Sequence, residues 1–157
     1  MIKLIGDGGH AVVIRDLIRS RERLDKSFVE VGGTIIAVDN NRDRHREAQE
    51  RQGTYYTYLI HPSATVASSV IVGMGTVIMA GAVVQARAQI GQHCIVNTNA
   101  TVDHGCRLGD FVHVSPGANL CGEVEVGEGA WIGANATVIQ GMKVPPWTVV
   151  PAGSTVR

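Results

Sequence analysis

Aromatic residues make up only 4% of this 157-residue sequence, and neither sign of charge is in excess. Fourteen Lys and Arg face fourteen Asp and Glu. A nucleic-acid-binding chain needs a basic patch or surplus, so no nucleic-acid partner is expected. No apolar run approaches the ~18 residues of a membrane span. The opening "MIKLIG" lacks the basic n-region and apolar h-region of a secretory signal and reads as a first strand. Cysteine is confined to Cys94, Cys106 and Cys121, an odd number with no CxxC pair. Reduced thiols in a cytoplasmic protein are the simplest expectation. What the chain has in quantity is glycine, 19 residues, and valine. Small and β-branched side chains with few aromatics are an odd recipe for an ordinary core, and they point to a repetitive one.

Every sixth residue from Ile60 to Val156 is Ile, Val or Leu, seventeen positions without exception. The position four later is small at Ala64, Ala82, Ala88, Cys94, Ala100, Cys106, Ala118, Ala130 and Ala136. One aliphatic and one small residue per six is a hexapeptide repeat. Each hexad predicts a short strand and a turn, and three hexads predict one triangular coil of eighteen residues. Stacked coils bury the aliphatic ladder and pair their backbones. Gly73, Gly91, Gly109 and Gly127 recur every eighteen residues, so one corner differs from the other two. The spacing places Cys94 and Cys106 inside as core residues.

Residues 1–59 follow another pattern. "KLI", "GDGGH" and "AVVIRDLIRS" read as strand, Gly-rich turn and helix, and "GTIIAVDNN" as a second strand and turn. "RDRHREAQER" reads as an exposed helix with Glu47 and Arg51 at favourable i,i+4 spacing. The result is a small α/β unit, 1–59, leading into a β-helix domain, 60–157.

Gly8, Gly9 and His10 lie in the turn between strand and helix, where backbone amides can hold phosphate. A tight βα connection explains such a turn equally well. His104 falls two residues past ladder residue Val102, near an outward corner, and His113 just precedes Val114. No two histidines are eighteen apart, so none stack in a column and no metal site is expected. Isolated outward histidines on a solenoid are more often inert than functional.

The set "GDGGH", "LIHPSATV", "NTNATVDHGCRLGDFVHVSPGANL" and "GEGAWIGANATVI" resembles the hexapeptide-repeat sugar acetyltransferases related to sialic-acid O-acetyltransferase and bacillosamine N-acetyltransferase. The likeness runs from residue 2 to the end. It implies a mostly β fold, a left-handed parallel β-helix preceded by a small α/β nucleotide-sugar-binding unit. It implies acetyl-CoA as cosubstrate without a metal, a nucleotide-sugar acceptor, and a homotrimer with its site between adjacent prisms. His104 then matches the general base and Asn97 a residue facing the reacting group of the sugar. His113, Ala134 and Ala152 match contacts to acetyl-CoA. Gly8, Gly9, His10 and Asp39 fall in the sugar-nucleotide pocket.

Departures from the resemblance are informative. The family usually places Glu or Asp directly after the base histidine, whereas here Gly105 follows and Asp103 precedes. Asp39 stands where the family often has Gly, and the Arg19–Gly33 segment is short. The chain ends at "GSTVR" without the family's usual tail, so a missing segment is one expectation. The reading is acetyl transfer to the amino group of a nucleotide-linked amino-deoxysugar. The alternatives are O-acetylation of sialic acid or another sugar, and a non-catalytic β-helix.

Overall fold

The computed structural model describes residues 2–24 and 32–157. It places β1 (Ile2–Ile5), α1 (Gly9–Leu24), β2 (Gly33–Ile36) and α2 (Asn41–Glu50) ahead of seventeen two-residue strands. These run from β3 (Leu59–Ile60) to β19 (Thr155–Val156), each starting six residues after the last. Of the short Arg19–Gly33 segment, residues 25–31 lie outside the described residues.

Every third strand stacks in parallel on the strand one coil away, giving three faces. Face one holds β3, β6, β9, β12, β15 and β18; face two holds β4, β7, β10, β13, β16 and β19; face three holds β5, β8, β11, β14 and β17. The second residue of each strand points inward. Val84 and Val102, for example, pair directly across β7 and β10 and are both buried. Ladder residues and small residues such as Ala100, Cys106 and Ala118 form one continuous core. Burying each Val or Ile is worth about 1.5–3 kcal/mol, and β-branched chains suit the extended backbone. Cys94 and Cys106 are within this core, and burial pushes the Cys94 thiol up to about 12.

The three corners are not equivalent. The third corner, where face three returns to face one, carries the glycine column. A side-chain carbon on Gly73 would lie 2.5 Å from the backbone of Gly91, and one on Gly109 would lie 2.7 Å from that of Glu128. Successive coils approach too closely there for any side chain.

The α/β unit caps the N-terminal half of face one. β1 and β2 form a parallel pair, with Ile2 opposite Gly33 and Ile5 opposite Ile36. α1 buries Ala11, Ile14 and Leu17, a stripe at three-residue spacing, against the outward residues Leu59, Val77 and Ile95 of face one. Its last turn carries Arg21 and Arg23, favourable at the negative end of the helix dipole. α2 is capped by Asn40, whose side chain accepts from the N–H groups of Arg42 and Asp43 at 3.0 and 3.1 Å. Glu47 and Arg51 pair at 2.7 Å on its outer side.

The expectation that α2 is an exposed helix holds for only part of its circumference. Asn41 and Arg44 are buried, Arg44 to 1% exposure. A charged, low-hydropathy segment reads as solvent-facing. Its inner edge is satisfied here by backbone carbonyls rather than by apolar packing.

Candidate functional site

Outward residues of face one show where the cap stops. Leu59, Val77 and Ile95 are fully covered and His113, next in the column, is 5% exposed. Beyond it Trp131 is 41% and Val149 63% exposed. His113 therefore lies under the lip of the α/β unit, where the solenoid emerges into solvent. Its Nε2 is 3.1 Å from Asn97 Nδ2 across adjacent coils, so Nε2 accepts from the amide. Trp131 stacks on the ring, with centroids 5.7 Å apart and planes within 2°, and is itself anchored by Nε1 donating to Ser115 Oγ at 2.7 Å. Burial first, then the Arg44 guanidinium and His10, push the His113 imidazole down to about 3; the Asp39 backbone opposes them. His113 is thus a neutral ring at neutral pH.

His10, in the first turn of α1, belongs to the same neighbourhood. Burial and then Arg44 depress it to about 4, with Asp39 opposing, and its Nε2 is buried without a hydrogen-bond partner. Gly8 and Gly9 border open space, since a side chain on either would meet nothing within 4 Å. The fold thus brings the sequence-predicted residues Gly8, Gly9, His10, Asp39, Asn97 and His113 to one end of the cap. Ala134 and Ala152 lie at the first corner, between faces one and two, on coils beyond Asn97. Their N–H groups donate to no protein acceptor among the described residues.

His104 is elsewhere. It occupies the second corner, between β10 and β11, with face two separating it from Asn97 and His113. Its side chain is 43% exposed. Asp103 Oδ1 accepts from the His104 backbone N–H at 2.7 Å and lies 3.1 Å from Nδ1. Those two hydrogen bonds hold the Asp103 carboxyl below the usual carboxylate range. A carboxylate can only accept, so Nδ1 is the ring nitrogen that faces Asp103, and Nε2 is the one left to face a substrate. The imidazole rests on Gly122 of the next coil: a side-chain carbon there would lie 2.4 Å from His104 Cε1 and 2.8 Å from Nε2. Gly122 is buried, and its own N–H donates to no protein acceptor among the described residues. Gly105 has a φ of +68°, and a side chain on it would meet Glu123 Cγ at 3.4 Å.

Sequence reasoning missed two residues. Gly122 is legible in retrospect, since it sits eighteen residues after His104 and so beneath it. Arg44 gave no signal, because four of its five partners are main-chain carbonyls and the fifth is an uncharged asparagine. Among the described residues no group of three His, Cys, Asp or Glu side chains converges as a metal site, and no helix is long and apolar enough to cross a membrane.

Comparison with known proteins gives a consistent set of likenesses. No family model matches the chain. The UDP-N-acetylbacillosamine N-acetyltransferase of Bacillus subtilis (strain 168) is 41% identical over 111 residues. The chain spans about half the length of that curated relative, 51% of it. The acetyltransferase domain of PglB from Neisseria gonorrhoeae superposes with a TM-score of 0.91 at 34% identity, over 99% of this chain and 90% of that one. That domain also has a structure in complex with acetyl coenzyme A. PerB from Caulobacter crescentus, in complex with CoA and GDP-perosamine, gives 0.90 at 33% identity, over 99% and 88% of the two chains. A variant of the Caulobacter GDP-perosamine N-acetyltransferase with one histidine replaced by alanine gives 0.89 at 31% identity over the same shares.

Proposed function

Since the chain belongs to the hexapeptide-repeat sugar N-acetyltransferases, we propose that it moves the acetyl group of acetyl-CoA onto the amino group of a nucleotide-linked amino-deoxysugar. The observation that carries this reading is the His104 imidazole, held by Asp103 on one side and seated on Gly122 on the other. The repeat has no structural use for such a ring at a bare corner. In the proposed reaction the sugar amine attacks the thioester carbonyl while His104 Nε2 takes the amine proton. The oxyanion is held by a backbone N–H or by the second amide N–H of Asn97, whose first is taken by His113 Nε2. The unpaired N–H of Gly122, beside the imidazole, is the donor best placed for it. Collapse of the intermediate expels the CoA thiolate, which receives a proton. No covalent enzyme intermediate is required.

The separation of His104 from Asn97 and His113 supports a homotrimer. Face two presents Thr65, Val83, Thr101, Asn119 and Thr137, small and without charge. Face three presents Gln89, Arg107, Glu125 and Lys143, with Lys143 and Glu125 paired at 2.9 Å. Face one is partly capped. Turning the uncharged face two toward a threefold axis sets the second corner of one copy against the first corner of the next. His104 of one copy would then face Asn97 and His113 of its neighbour. Acetyl-CoA would lie along the first corner, its amide oxygens receiving the free N–H groups of Ala134 and Ala152. The sugar nucleotide would sit at Gly8, Gly9, His10 and Asp39. Holding both substrates in one cleft supplies much of the rate.

The test is thiol release from acetyl-CoA, screened against UDP-, dTDP- and GDP-linked amino sugars and against hydroxyl acceptors including sialic acid. Release with an amino sugar alone supports the proposal. Release only with a hydroxyl acceptor replaces it with O-acetylation, and no release with any acceptor leaves a non-catalytic β-helix.

A further inference from the structure

Arg44 is buried to 1% exposure, yet among the described residues no carboxylate pairs with it. All five of its N–H donors are satisfied instead by oxygens from separate segments. Nη1 donates to the carbonyls of Val38 and Asp39 at 2.9 and 2.8 Å. Nε donates to the carbonyl of His93 at 2.7 Å, and Nη2 to that of Phe111 and to Asn41 Oδ1, both at 2.9 Å. Asn41 Nδ2 in turn donates to the carbonyl of Gly129 at 3.0 Å. Residues 93, 111 and 129 are eighteen apart and lie at the third corner, each with positive φ (53°, 60° and 65°). One helix edge thus grips the same carbonyl on three successive coils. Arg44 alone also reaches back to the turn after β2, two of whose carbonyls it holds.

We propose that Arg44 is a positioning residue for the acceptor: it locks the Val38–Asp39 turn to the coil that carries His113. The inference rests on the acetyl-transfer reading and adds a residue that never touches substrate. Phe111 is two residues before His113, and the two hydrogen bonds to Val38 and Asp39 fix where Asp39 stands relative to that ring. Lysine, with one compact ammonium, cannot serve carbonyls lying in several directions in the guanidinium plane. Acetyl-CoA, proposed to bind along the first corner, meets this link only at His113, whose ring is also held by Asn97 and Trp131. Loss of Arg44 should therefore separate the two substrates kinetically. A purely structural loss would not. The buried cation also depresses His10 and His113, so its removal has a spectroscopic signature independent of turnover.

The experiment compares Arg44→Lys, Arg44→Met and Asn41→Ala with the parent protein. In Arg44→Lys the KM for the nucleotide amino sugar should rise about ten- to a hundredfold, the cost of a group misplaced by roughly an ångström. The KM for acetyl-CoA should stay within about twofold. Asn41→Ala loosens the same helix edge without freeing the turn. It should lower the melting temperature but change the acceptor KM much less. NMR of the imidazoles and of the Val38 and Asp39 amides gives the second readout. Arg44→Met should raise the His10 and His113 titrations, and both Arg44 variants should displace the two amide resonances. Equal rises in both KM values, no rise in either, or unmoved Val38 and Asp39 amides would overturn the proposal. If the parent protein transfers no acetyl group, the functional reading fails, and the amide and imidazole shifts still decide the role of Arg44. Should Arg44→Met be insoluble, Arg44→Lys carries both readouts.

Discussion

His104 stands half-exposed at a bare corner of the solenoid, whereas His113 lies beneath the edge of the α/β unit. The first has a carboxylate on Nδ1, a glycine under its ring and a free Nε2. The second has a buried ring, a tryptophan stacked on it and an asparagine donating to Nε2. Burial and Arg44 keep the second neutral. Both histidines come from the same repeat, on strands or turns of the same geometry. What separates them is the covering: one has room and a charge partner with which to take a proton, and the other is built to hold still. Chemistry on a solenoid is thus decided by what the neighbouring coil and the cap place over a side chain, not by where it falls in the hexad.

The strongest way to break this contrast is to delete each imidazole. His104→Ala should lower kcat by about 10²–10⁴, the usual loss for a general base, with the KM for acetyl-CoA little changed. Full activity in that variant would make His104 decoration. Gly122→Ala comes next. The methyl group would occupy the space under the ring and displace it, so kcat should fall about ten- to a hundredfold while circular dichroism stays that of the parent. Unaltered kcat would mean the ring does not depend on that seat. His113→Ala should act on the other side of the contrast, raising the KM for acetyl-CoA about tenfold with a smaller effect on kcat. A kcat loss equal to that of His104→Ala would erase the distinction.

The finer tests concern charge. Asp103→Asn keeps the shape of the Nδ1 contact but removes its charge, and should cut kcat about tenfold, since charge-assisted hydrogen bonds are roughly twice as strong as neutral ones. Gly105→Glu should not raise the rate, because position 105 needs a positive φ and Asp103 already occupies Nδ1. A rise there would reassign the orienting role. The smallest effect is on stability. The folded-state values of His113 (about 3) and of His10 and His93 (about 4) lie below 6.5. The unfolded chain therefore binds more protons between about pH 3 and 6.5, and stability is full above that window and lost as pH falls through it. The melting temperature should drop by several degrees between about pH 7 and about pH 5, and His113→Gln should lessen the drop. An unchanged melting temperature would contradict the burial of these rings.

The solenoid was readable residue by residue, since its period is imposed by packing: any polar ladder residue would strand a dipole in a core built mainly of Val, Ile, Leu, Ala and Cys. Each strand therefore sits where the six-residue count puts it. The glycine column was also visible as a distinct corner, although the close backbone approach behind it was not. The pairing of Asp103 with His104 was left open by sequence because neighbouring residues meet or miss according to turn dihedrals. The burial of His113 could not be read at all, because its cover comes from a segment more than sixty residues earlier, at α2 and the turn before it. Arg44 hid for a similar reason. A guanidinium answered mostly by main-chain carbonyls, with one asparagine oxygen besides, leaves no acidic partner in the sequence to look for.

The outward column of face one has a consequence for how the molecule assembles. A repeating track carries no addresses of its own: moved along its axis by one coil, about 4.8 Å, it falls nearly onto itself. The carbonyl rungs at 93, 111 and 129 would offer themselves to α2 just as well one step further along. The aliphatic residues Leu59, Val77 and Ile95 end at His113, however, and Trp131 follows. A cap that slipped forward by one coil would trade Leu59 for the His113 imidazole beneath α1, losing apolar contact at one end and burying polar atoms at the other. That single change of composition works as an end-stop on the track. Without it, the landscape would hold two docked states of nearly equal depth, and half of the molecules would carry an acceptor pocket facing the wrong coil.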